Sequence, residues 1–344
     1  MSTDPLPLVE PDRVARDAAL VDIRDVVKEF AVTRGAIFKR RVGSVKAVSN
    51  VSLSITRGET FGLVGESGCG KTTLGRLVVA LERPDSGEIW FAGDDLAKLH
   101  RGPLRAKRKT MQLMFQDPYS SLDPRMRVGD ILAEPLIIHK MGNRAQRQAR
   151  VAELLGEVGL SPRAVERYPH EFSGGQRQRI GLARALALSP KMIVADEPVS
   201  ALDVSIRSQI LNLMNRLQET HDLTYIVISH DLGVIRYVSD RIGVMYLGKL
   251  VEMGPAAAVY NRPAHPYTQG LLSAVPVPDP KLERSKLKLV PRGELPSPMN
   301  PPSGCRFRTR CPGAKEICAE VEPPLRLFET GQVAACHFTL ENPA

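Results

Sequence analysis

Residues 65–72 read Gly-Glu-Ser-Gly-Cys-Gly-Lys-Thr and match the pattern G-x-x-x-x-G-K-[ST] at every fixed position. The apolar run Thr60–Val64 comes directly before them, and leucines and valines at helical spacing follow, which predicts a strand, a loop and a helix. In that setting the glycines allow backbone N–H groups to surround phosphate oxygens at the start of the helix. The stretch therefore predicts a phosphate-binding loop in an α/β domain.

This loop supplies the predicted contacts to ATP and Mg²⁺. Lys71 is expected to neutralise the β- and γ-phosphates, and the Thr72 hydroxyl is expected to ligate Mg²⁺. The other loop residues in the predicted nucleotide-binding set are Gly65, Ser67, Gly68, Cys69, Gly70 and Thr73. The helix N-terminus is expected to lower the pKa of the Cys69 thiol and to favour its alkylation. A buried, inert thiol is the alternative.

Two adjacent carboxylates follow a second apolar strand. Residues 192–195 are apolar, and Asp196 and Glu197 come next. Asp196 is expected to join the Mg²⁺ shell, and Glu197 is expected to polarise the attacking water as a general base. Strands often end in acids, so this prediction depends on the presence of the phosphate loop earlier in the chain.

Strands and helices alternate through most of the sequence, which is typical of an α/β domain. Apolar runs at 192–195 and 225–228 predict buried parallel strands, and apolar positions between 206 and 217 predict a helix between them. Helices are also predicted over 144–159 and 174–188, and Ser161 with Pro162 predicts a further helix start. The segment 21–55 shows short β-type runs separated by turn signals.

Composition limits the class of protein. The chain has 344 residues, of which 43% are hydrophobic and 25% charged, as in a globular protein with a sizeable core. It contains no run of about 20 apolar residues that would span a membrane, and its acidic, proline-containing start does not resemble a secretory signal. The net charge of +9 is compatible with nucleic acid, an anionic membrane face or an ordinary basic surface.

The composition predicts a flexible tail over residues 1–20 and a change of character at about residue 277, which we assign to a division between a first domain over 21–270 and a C-terminal domain over 271–344. Prolines become frequent in the last segment and the apolar periodicity fades. Four of the five cysteines also lie there.

Several motifs resemble those of ATP-binding cassette (ABC) ATPases, and they occur in the order found in that family. Phe172-Ser173-Gly174-Gly175-Gln176 resembles the signature motif, with Phe where the family usually has Leu. The remaining matches are the Q-loop at Gln116, the D-loop at Ser200-Ala201-Leu202-Asp203 and the switch histidine at His230. The resemblance covers roughly residues 21–270 and implies that they form an ATPase domain, with a helical subdomain at about 117–185. It implies an α/β ABC-type P-loop NTPase with a RecA-like core, an antiparallel β subdomain and a helical signature subdomain, here followed by an irregular cysteine-containing C-terminal extension.

The resemblance also assigns roles. Gln116 and His230 would join Glu197 in catalysis, and Gln116 would also contact Mg²⁺. The signature of one subunit closes over the nucleotide of another in this family, which places the following residues at a shared ATP site: Ser173, Gly175, Gln176 and Asp203. Phe30 is expected to stack on adenine, with Phe38 as the alternative.

The C-terminal part resembles the ATPases of dipeptide and oligopeptide importers, most closely the second ATPase subunit of a dipeptide importer. Pro263-Ala264-His265-Pro266-Tyr267-Thr268-Gln269 matches their hallmark. The resemblance implies a second, non-identical ATPase, two membrane permeases, an external solute-binding protein and a location on the cytoplasmic face of the bacterial inner membrane. Nickel and glutathione importers use similar chains. A soluble ABC ATPase acting on nucleic acid or the ribosome is the other alternative, although only a short segment separates Gln116 from Ser173 and the chain carries one cassette.

The four C-terminal cysteines predict a metal centre. Cys305, Cys311, Cys318 and Cys336 have the spacing C-x5-C-x6-C-x17-C in a segment poor in apolar periodicity, where a metal would supply missing cross-links. Four thiolates suit Zn²⁺ or an iron–sulfur cluster, and the lack of C-x2-C knuckles favours iron–sulfur. The resemblance to dipeptide importer ATPases implies a [4Fe–4S] cluster. Zn²⁺ is the alternative, and so are four reduced or disulfide-paired cysteines.

Overall fold

The computed structural model describes residues 19–34, 40–115, 122–275 and 293–340. The chain divides into two compact units, which are Met1–Thr56, Phe61–Ala97 and Ser229–Ala344 in the first and Arg57–Thr60 and Lys98–Ile228 in the second. Within the described ranges, no helix is both long enough and apolar enough to cross a bilayer. The predicted tail over residues 1–20 lies outside the described residues except for its last two, which begin the first strand. The predicted division at residue 271 stays a prediction.

The strands in chain order are β1 (Ala19–Arg34), β2 (Arg40–Thr56), β3 (Thr60–Val64), β4 (Ser86–Phe91), β5 (Asp94–Asp95), β6 (Met111–Met114), β7 (Met192–Asp196), β8 (Thr224–Ser229), β9 (Arg241–Tyr246), β10 (Lys249–Pro255), β11 (Leu325–Leu327) and β12 (Val333–Ala335). The α-helices are α1 (Lys71–Val78), α2 (Arg101–Lys107), α3 (Val128–Ile138), α4 (Arg144–Glu157), α5 (Gly174–Leu186), α6 (Val204–His221), α7 (Leu232–Val238), α8 (Ala256–Asn261), α9 (Pro266–Ser273) and α10 (Ile317–Glu320). Within the described residues, 3-10 helices cover Pro162–Glu166 and Pro169–Glu171.

An antiparallel sheet in the first unit has the order β2-β1-β4-β5. Ile23 pairs with Leu53 across β1 and β2, and both side chains are buried on one face. The sequence predicts several short β-type runs here, whereas the structure has two long strands. Bulges in the β1–β2 register explain the difference, because they absorb the interruptions in the apolar pattern without ending either strand. Asp25 and Asn50 take left-handed backbone conformations within these strands.

The first unit also contains strands in the order β11-β12-β10-β9-β3. Strand β3 has every residue buried and pairs in parallel with β9, as a strand in a covered sheet should. Strand β12 pairs with β10 through Glu252↔Ala334 and Met253↔Val333. The tail, which was expected to be irregular, therefore contributes two short strands to this sheet as well as the four-residue helix α10.

The second unit contains the parallel strands β6, β7 and β8, with β7 in the middle. Strand β7 has all five residues buried, which agrees with the continuous apolar pattern from which it is predicted. Helices α4, α5 and α6 lie where the apolar periodicity predicts them, and Ser161 caps a 3-10 helix by accepting the backbone N–H of Arg163. The part of the predicted helical subdomain at 117–121 lies outside the described residues.

Candidate functional site

The phosphate loop follows β3 directly and takes backbone conformations that require glycine. Gly65 has φ 153° and Gly70 has φ 108°. A Cβ atom on Gly70 would lie 2.0 Å from the carbonyl oxygen of Ala47, and one on Gly65 would lie 2.2 Å from that of Met245. Neither neighbour can move aside, since both atoms belong to the backbone. The fixed glycines of the motif therefore bring the loop backbone close to two other backbone segments.

Lys71 is buried inside the loop that it completes. Its Nζ atom donates hydrogen bonds to the carbonyl oxygens of Gly65 at 2.7 Å and Glu66 at 3.0 Å. Lys71, Thr72 and Thr73 form the first turn of α1, which contains no acidic residue. A buried ammonium beside a helix N-terminus free of carboxylates is an arrangement that fits a phosphate group. The glycine backbone and Lys71 thus fit ATP.

The expectation of a reactive Cys69 is wrong. The side chain is 2% exposed, and burial raises the pKa of its thiol above the ordinary value despite the nearby Lys71. The positive end of the helix favours the thiolate, but desolvation of the buried thiol is the larger effect here. Cys69 belongs to the interior of the loop as a small apolar side chain.

In the second unit, Asp196 is the last residue of β7 and Glu197 follows it. The two side chains are 4% and 8% exposed. Glu197 has φ 50°, a left-handed conformation that is uncommon for a residue with a side chain, and its N–H donates to the carbonyl oxygen of Ile228 at 2.8 Å. A strained backbone of this kind is frequent at functional sites, where surrounding structure holds it in place.

The signature residues form the start of α5. Ser173 is the N-cap, and its hydroxyl accepts the backbone N–H of Gln176 at 3.4 Å, while the Gln176 side chain accepts the N–H of Ser173 at 3.0 Å. A Cβ on Gly175 would lie 2.4 Å from the Cγ2 atom of Ile206, so this glycine allows close packing of α5 against α6. Asp203 is the N-cap of α6. Ser173 and Gln176 are exposed, and Gly175 is buried.

Three other predicted residues lie elsewhere in the chain. His230 is exposed directly after β8. Phe30, on β1, is 40% exposed, and the ammonium of Lys28 lies 5.4 Å from its ring centroid. Gln116 and the alternative adenine partner Phe38 lie outside the described residues.

Two residues that the sequence did not predict as part of the site bind the phosphate loop from far along the chain. The backbone N–H of Glu66 donates to the hydroxyl oxygen of Tyr267 at 2.9 Å. The guanidinium of Arg310 lies 2.7 Å from the carboxylate of Glu66, and this hydrogen bond raises the pKa of Arg310 further above its ordinary value. Tyr267 belongs to the His-Pro-Tyr motif, so its presence was a signal, but no local pattern indicated its contact with the loop.

The start of α9 fixes the position of Tyr267. His265 is the N-cap, and its Nδ1 atom accepts the backbone N–H of Tyr267 at 3.0 Å. Burial lowers the pKa of His265 to about 4, so the ring stays neutral and remains an acceptor at neutral pH. Tyr267 also packs against the rings of Tyr246 and Phe307.

All four C-terminal cysteines line one cavity of about 290 Å³ in the first unit, together with His265 and Phe307. The thiols are free, and the N–H of Cys305 donates to the carbonyl oxygen of Cys318 at 2.8 Å. Burial raises the pKa of Cys305 and Cys311 and raises that of Cys336 to about 11. Within the described ranges, no group of three or more His, Cys, Asp or Glu side chains is arranged to hold a metal ion. The four thiols thus line one cavity, but the described side chains there are not arranged to hold a metal ion.

Known proteins resemble this chain over most of its length. The ABC transporter family matches residues 48–200, and the family described as the C-terminal region of oligopeptide/dipeptide transporters matches residues 251–318. The oligopeptide transport ATP-binding protein AppF of Bacillus subtilis (strain 168) is 52% identical over 94% of this chain and 98% of its own length. The probable peptide ABC transporter ATP-binding protein y4tS of Sinorhizobium fredii is 49% identical over 93% of this chain and 90% of its own length.

Solved structures resemble the fold as well. The post-hydrolysis dimer of the ATP-binding cassette MJ0796 bound to ADP and Pi aligns with a TM-score of 0.60 at 29% identity, covering 69% of this chain and 98% of that one. The cassette cbiO1 from Clostridium perfringens aligns with a TM-score of 0.61 at 23% identity, covering 71% of this chain and 92% of that one.

Proposed function

Given that this chain belongs to the ABC transporter family, among the ATP-binding proteins of oligopeptide transport, we propose that it hydrolyses MgATP to drive the import of peptides. The observation that carries the proposal is the combination, in one unit, of a glycine-built phosphate loop closed by buried Lys71 and the His-Pro-Tyr segment whose Tyr267 binds that loop. The first feature supports ATP binding. The second supports the peptide-importer branch, because it lies within the matched C-terminal region.

Each predicted site residue has a proposed part in the reaction. The loop N–H groups and Lys71 hold the phosphates, and Thr72 and Asp196 are the ligands that this chain offers to Mg²⁺. Glu197 acts as the general base, and its strained backbone supports a fixed orientation toward the attacking water. His230 and Gln116 complete the catalytic set, and Phe30 stacks on the adenine. Bound Mg²⁺ would supply charge neutralisation at the phosphates.

A second ATPase completes the site. Ser173 and Gln176 are exposed at the start of α5, where the Ser173 hydroxyl and the positive end of the helix dipole are available to an anion. We assign these residues, with Gly175 and Asp203, to the nucleotide held by the partner subunit. ATP binding then brings the two ATPases together and hydrolysis separates them, so that the chemical step drives a change of conformation.

The assembly places this chain at a membrane. In this proposal, two integral-membrane permeases change conformation when the two ATPases come together and separate, and an external solute-binding protein delivers the peptide. The chain lies at the cytoplasmic face of the bacterial inner membrane. The finer assignment is the second ATPase subunit of a dipeptide importer, in which the segment 271–344 forms a separate C-terminal domain. Import of nickel or glutathione, and action on nucleic acid or the ribosome, are the competing assignments.

The cysteine cavity has a proposed occupant, a [4Fe–4S] cluster held by Cys305, Cys311, Cys318 and Cys336. Convergence of all four thiols on one cavity supports it. The cluster would supply cross-links to a segment with little core of its own. Anaerobically purified protein should be brown and contain iron with acid-labile sulfide. A colourless protein with one equivalent of zinc would show that Zn²⁺, and not a cluster, occupies the site. A metal-free protein with four reactive thiols would exclude both the cluster and Zn²⁺.

Detergent extraction tests the functional assignment. An affinity-tagged chain should co-purify with two integral-membrane proteins and a second ATPase, and the complex should hydrolyse MgATP. The matched control is the Lys71→Ala chain, which should retain the partners and lose hydrolysis. Co-purification with ribosomes or DNA instead of membrane proteins would contradict the proposal.

A further inference from the structure

The C-terminal segment reaches the phosphate loop through one side chain. Arg310 lies 2.7 Å from the carboxylate of Glu66, the second residue of the loop motif, although the two are 244 positions apart in sequence. The Arg310 side chain is 11% exposed and that of Glu66 is 27% exposed, so water screens this ion pair less than it screens a surface pair. Both residues belong to the first unit.

Glu66 is held from three directions. Its carboxylate contacts Arg310, its N–H donates to Tyr267, and its carbonyl oxygen accepts Nζ of Lys71 at 3.0 Å. Tyr267 and Arg310 both lie C-terminal to residue 264, so the later part of the chain fixes the entrance of the phosphate loop. The sequence around residues 65–72 alone does not specify this conformation.

Glu66 places a negative charge in a loop that binds polyanions. An unpaired carboxylate there would repel the phosphates, because like charges a few ångströms apart interact strongly where water is partly excluded. The guanidinium of Arg310 neutralises this carboxylate and holds it by a charge-assisted hydrogen bond. The pair thus removes an electrostatic obstacle to nucleotide binding.

The segment that carries Arg310 is anchored on both sides. Cys305 and Cys311 line the cysteine cavity, and Phe307 is 2% exposed against the rings of Tyr246 and Tyr267. Arg306 donates to the carbonyl oxygen of Leu247 in the turn between β9 and β10. A short, well-packed segment therefore presents Arg310 to the loop with little conformational freedom.

We propose that Arg310 is a positioning residue for the ATP site, which neutralises and orients Glu66 so that the phosphate loop accepts MgATP. This inference rests on the proposed function, since it assumes that the loop binds ATP. It assigns to the C-terminal extension a direct part in nucleotide affinity. It also predicts that the effect of Arg310 depends on the charge of Glu66, which a general loss of folding would not do.

A double-mutant cycle tests the proposal in the full chain, with ATPase kinetics of the assembled complex and equilibrium binding of a fluorescent ATP analogue. Arg310→Ala should raise KM and Kd for MgATP by about 5- to 10-fold with kcat changed by less than about 2-fold. In the Glu66→Gln background the same substitution should change KM by less than about 2-fold, because no carboxylate remains to be neutralised. Arg310→Lys should retain most of the affinity, since it keeps the charge.

Arg308→Ala is the matched control. Arg308 carries the same charge two positions away. Within the described residues, its side chain donates hydrogen bonds to Ser303 and not to the phosphate loop. This variant should leave KM within about 2-fold of the wild type if position, and not total charge, matters. An unchanged KM in Arg310→Ala, or an equal increase in both Glu66 backgrounds, would overturn the proposal. A wild-type complex that hydrolyses no ATP would instead refute the proposed function.

Discussion

Replacing Tyr267 by Phe removes one hydroxyl from the interior and one acceptor from the phosphate loop. Tyr267 is fully buried, and its hydroxyl oxygen accepts the N–H of Glu66 at 2.9 Å. The ring contacts with Tyr246 and Phe307 remain in the variant, because Phe keeps the same aromatic ring. The substitution thus isolates the hydrogen bond to the loop from the packing around it.

The expected cost follows from the unpaired amide. A backbone N–H that loses its acceptor in a partly buried position costs about 1–2 kcal/mol. For a unit of this size, that cost lowers the thermal midpoint by roughly 2–8 °C. Glu66 also loses one of its three anchors, so the affinity for MgATP should fall in the same variant.

Tyr225→Phe is the matched control. The Tyr225 hydroxyl is buried, and the described residues provide it with no hydrogen-bond partner. Its removal should leave the thermal midpoint unchanged or raise it slightly, since a buried polar group without a partner is unfavourable. Scanning calorimetry of both variants, with and without MgATP, measures the difference. Equal midpoints in the two variants would refute the reasoning, because they would show that the Tyr267–Glu66 hydrogen bond contributes nothing.

Three further predictions concern single residues. Glu197→Gln should keep MgATP binding and lower the rate of ATP hydrolysis by about 10²-fold or more, as for the loss of a general base. A rate near that of the wild-type complex would show that another residue is the general base. Cys69 should resist maleimide in the folded protein and react after unfolding, because it is buried with a raised pKa; peptide mass spectrometry would contradict this if it found the folded protein fully labelled. Burial raises the pKa of Glu252 to about 7, above the value of about 4.3 in an unfolded chain. Between about pH 4.3 and about pH 7 the folded state therefore binds one more proton at Glu252 than the unfolded state, so the contribution of Glu252 to the free energy of unfolding should fall as the pH rises through this range. Because the lowered pKa of His265 acts in the opposite direction, the test is the difference between two profiles. From pH 5 to pH 8 the thermal midpoint of the wild type should fall relative to that of Glu252→Gln, and parallel profiles would exclude Glu252 as the cause.

Local patterns predicted the parts of the fold that local forces determine. Strand β3 has the predicted bounds, and β7 extends the predicted run by one residue, since a continuous apolar run is typical of a strand buried on both faces. The cap at Ser173 is also local, because its reciprocal hydrogen bonds join residues three apart.

Contacts between distant residues could not be predicted in this way. Tyr267 and Arg310 reach Glu66 across 201 and 244 positions, and no periodicity connects such residues. The error at Cys69 has the same origin, since its pKa depends on how deeply the loop is buried by other segments. The full length of β1 and β2 was not predicted, because bulges in their register let the sheet continue across breaks in the apolar pattern. Such bulges depend on the partner strand and leave no local signal in the sequence.

The most direct test of the account is ATP-dependent peptide uptake. Bacterial cells that carry this chain as wild type, Glu197→Gln or Arg308→Ala in place of the chromosomal copy are given a radiolabelled dipeptide or oligopeptide, and the initial rate of accumulation is measured. We expect uptake with the wild type and Arg308→Ala, and a loss of about 10²-fold with Glu197→Gln. Undiminished peptide uptake with Glu197→Gln, in cells that express it at the wild-type level, would contradict this expectation.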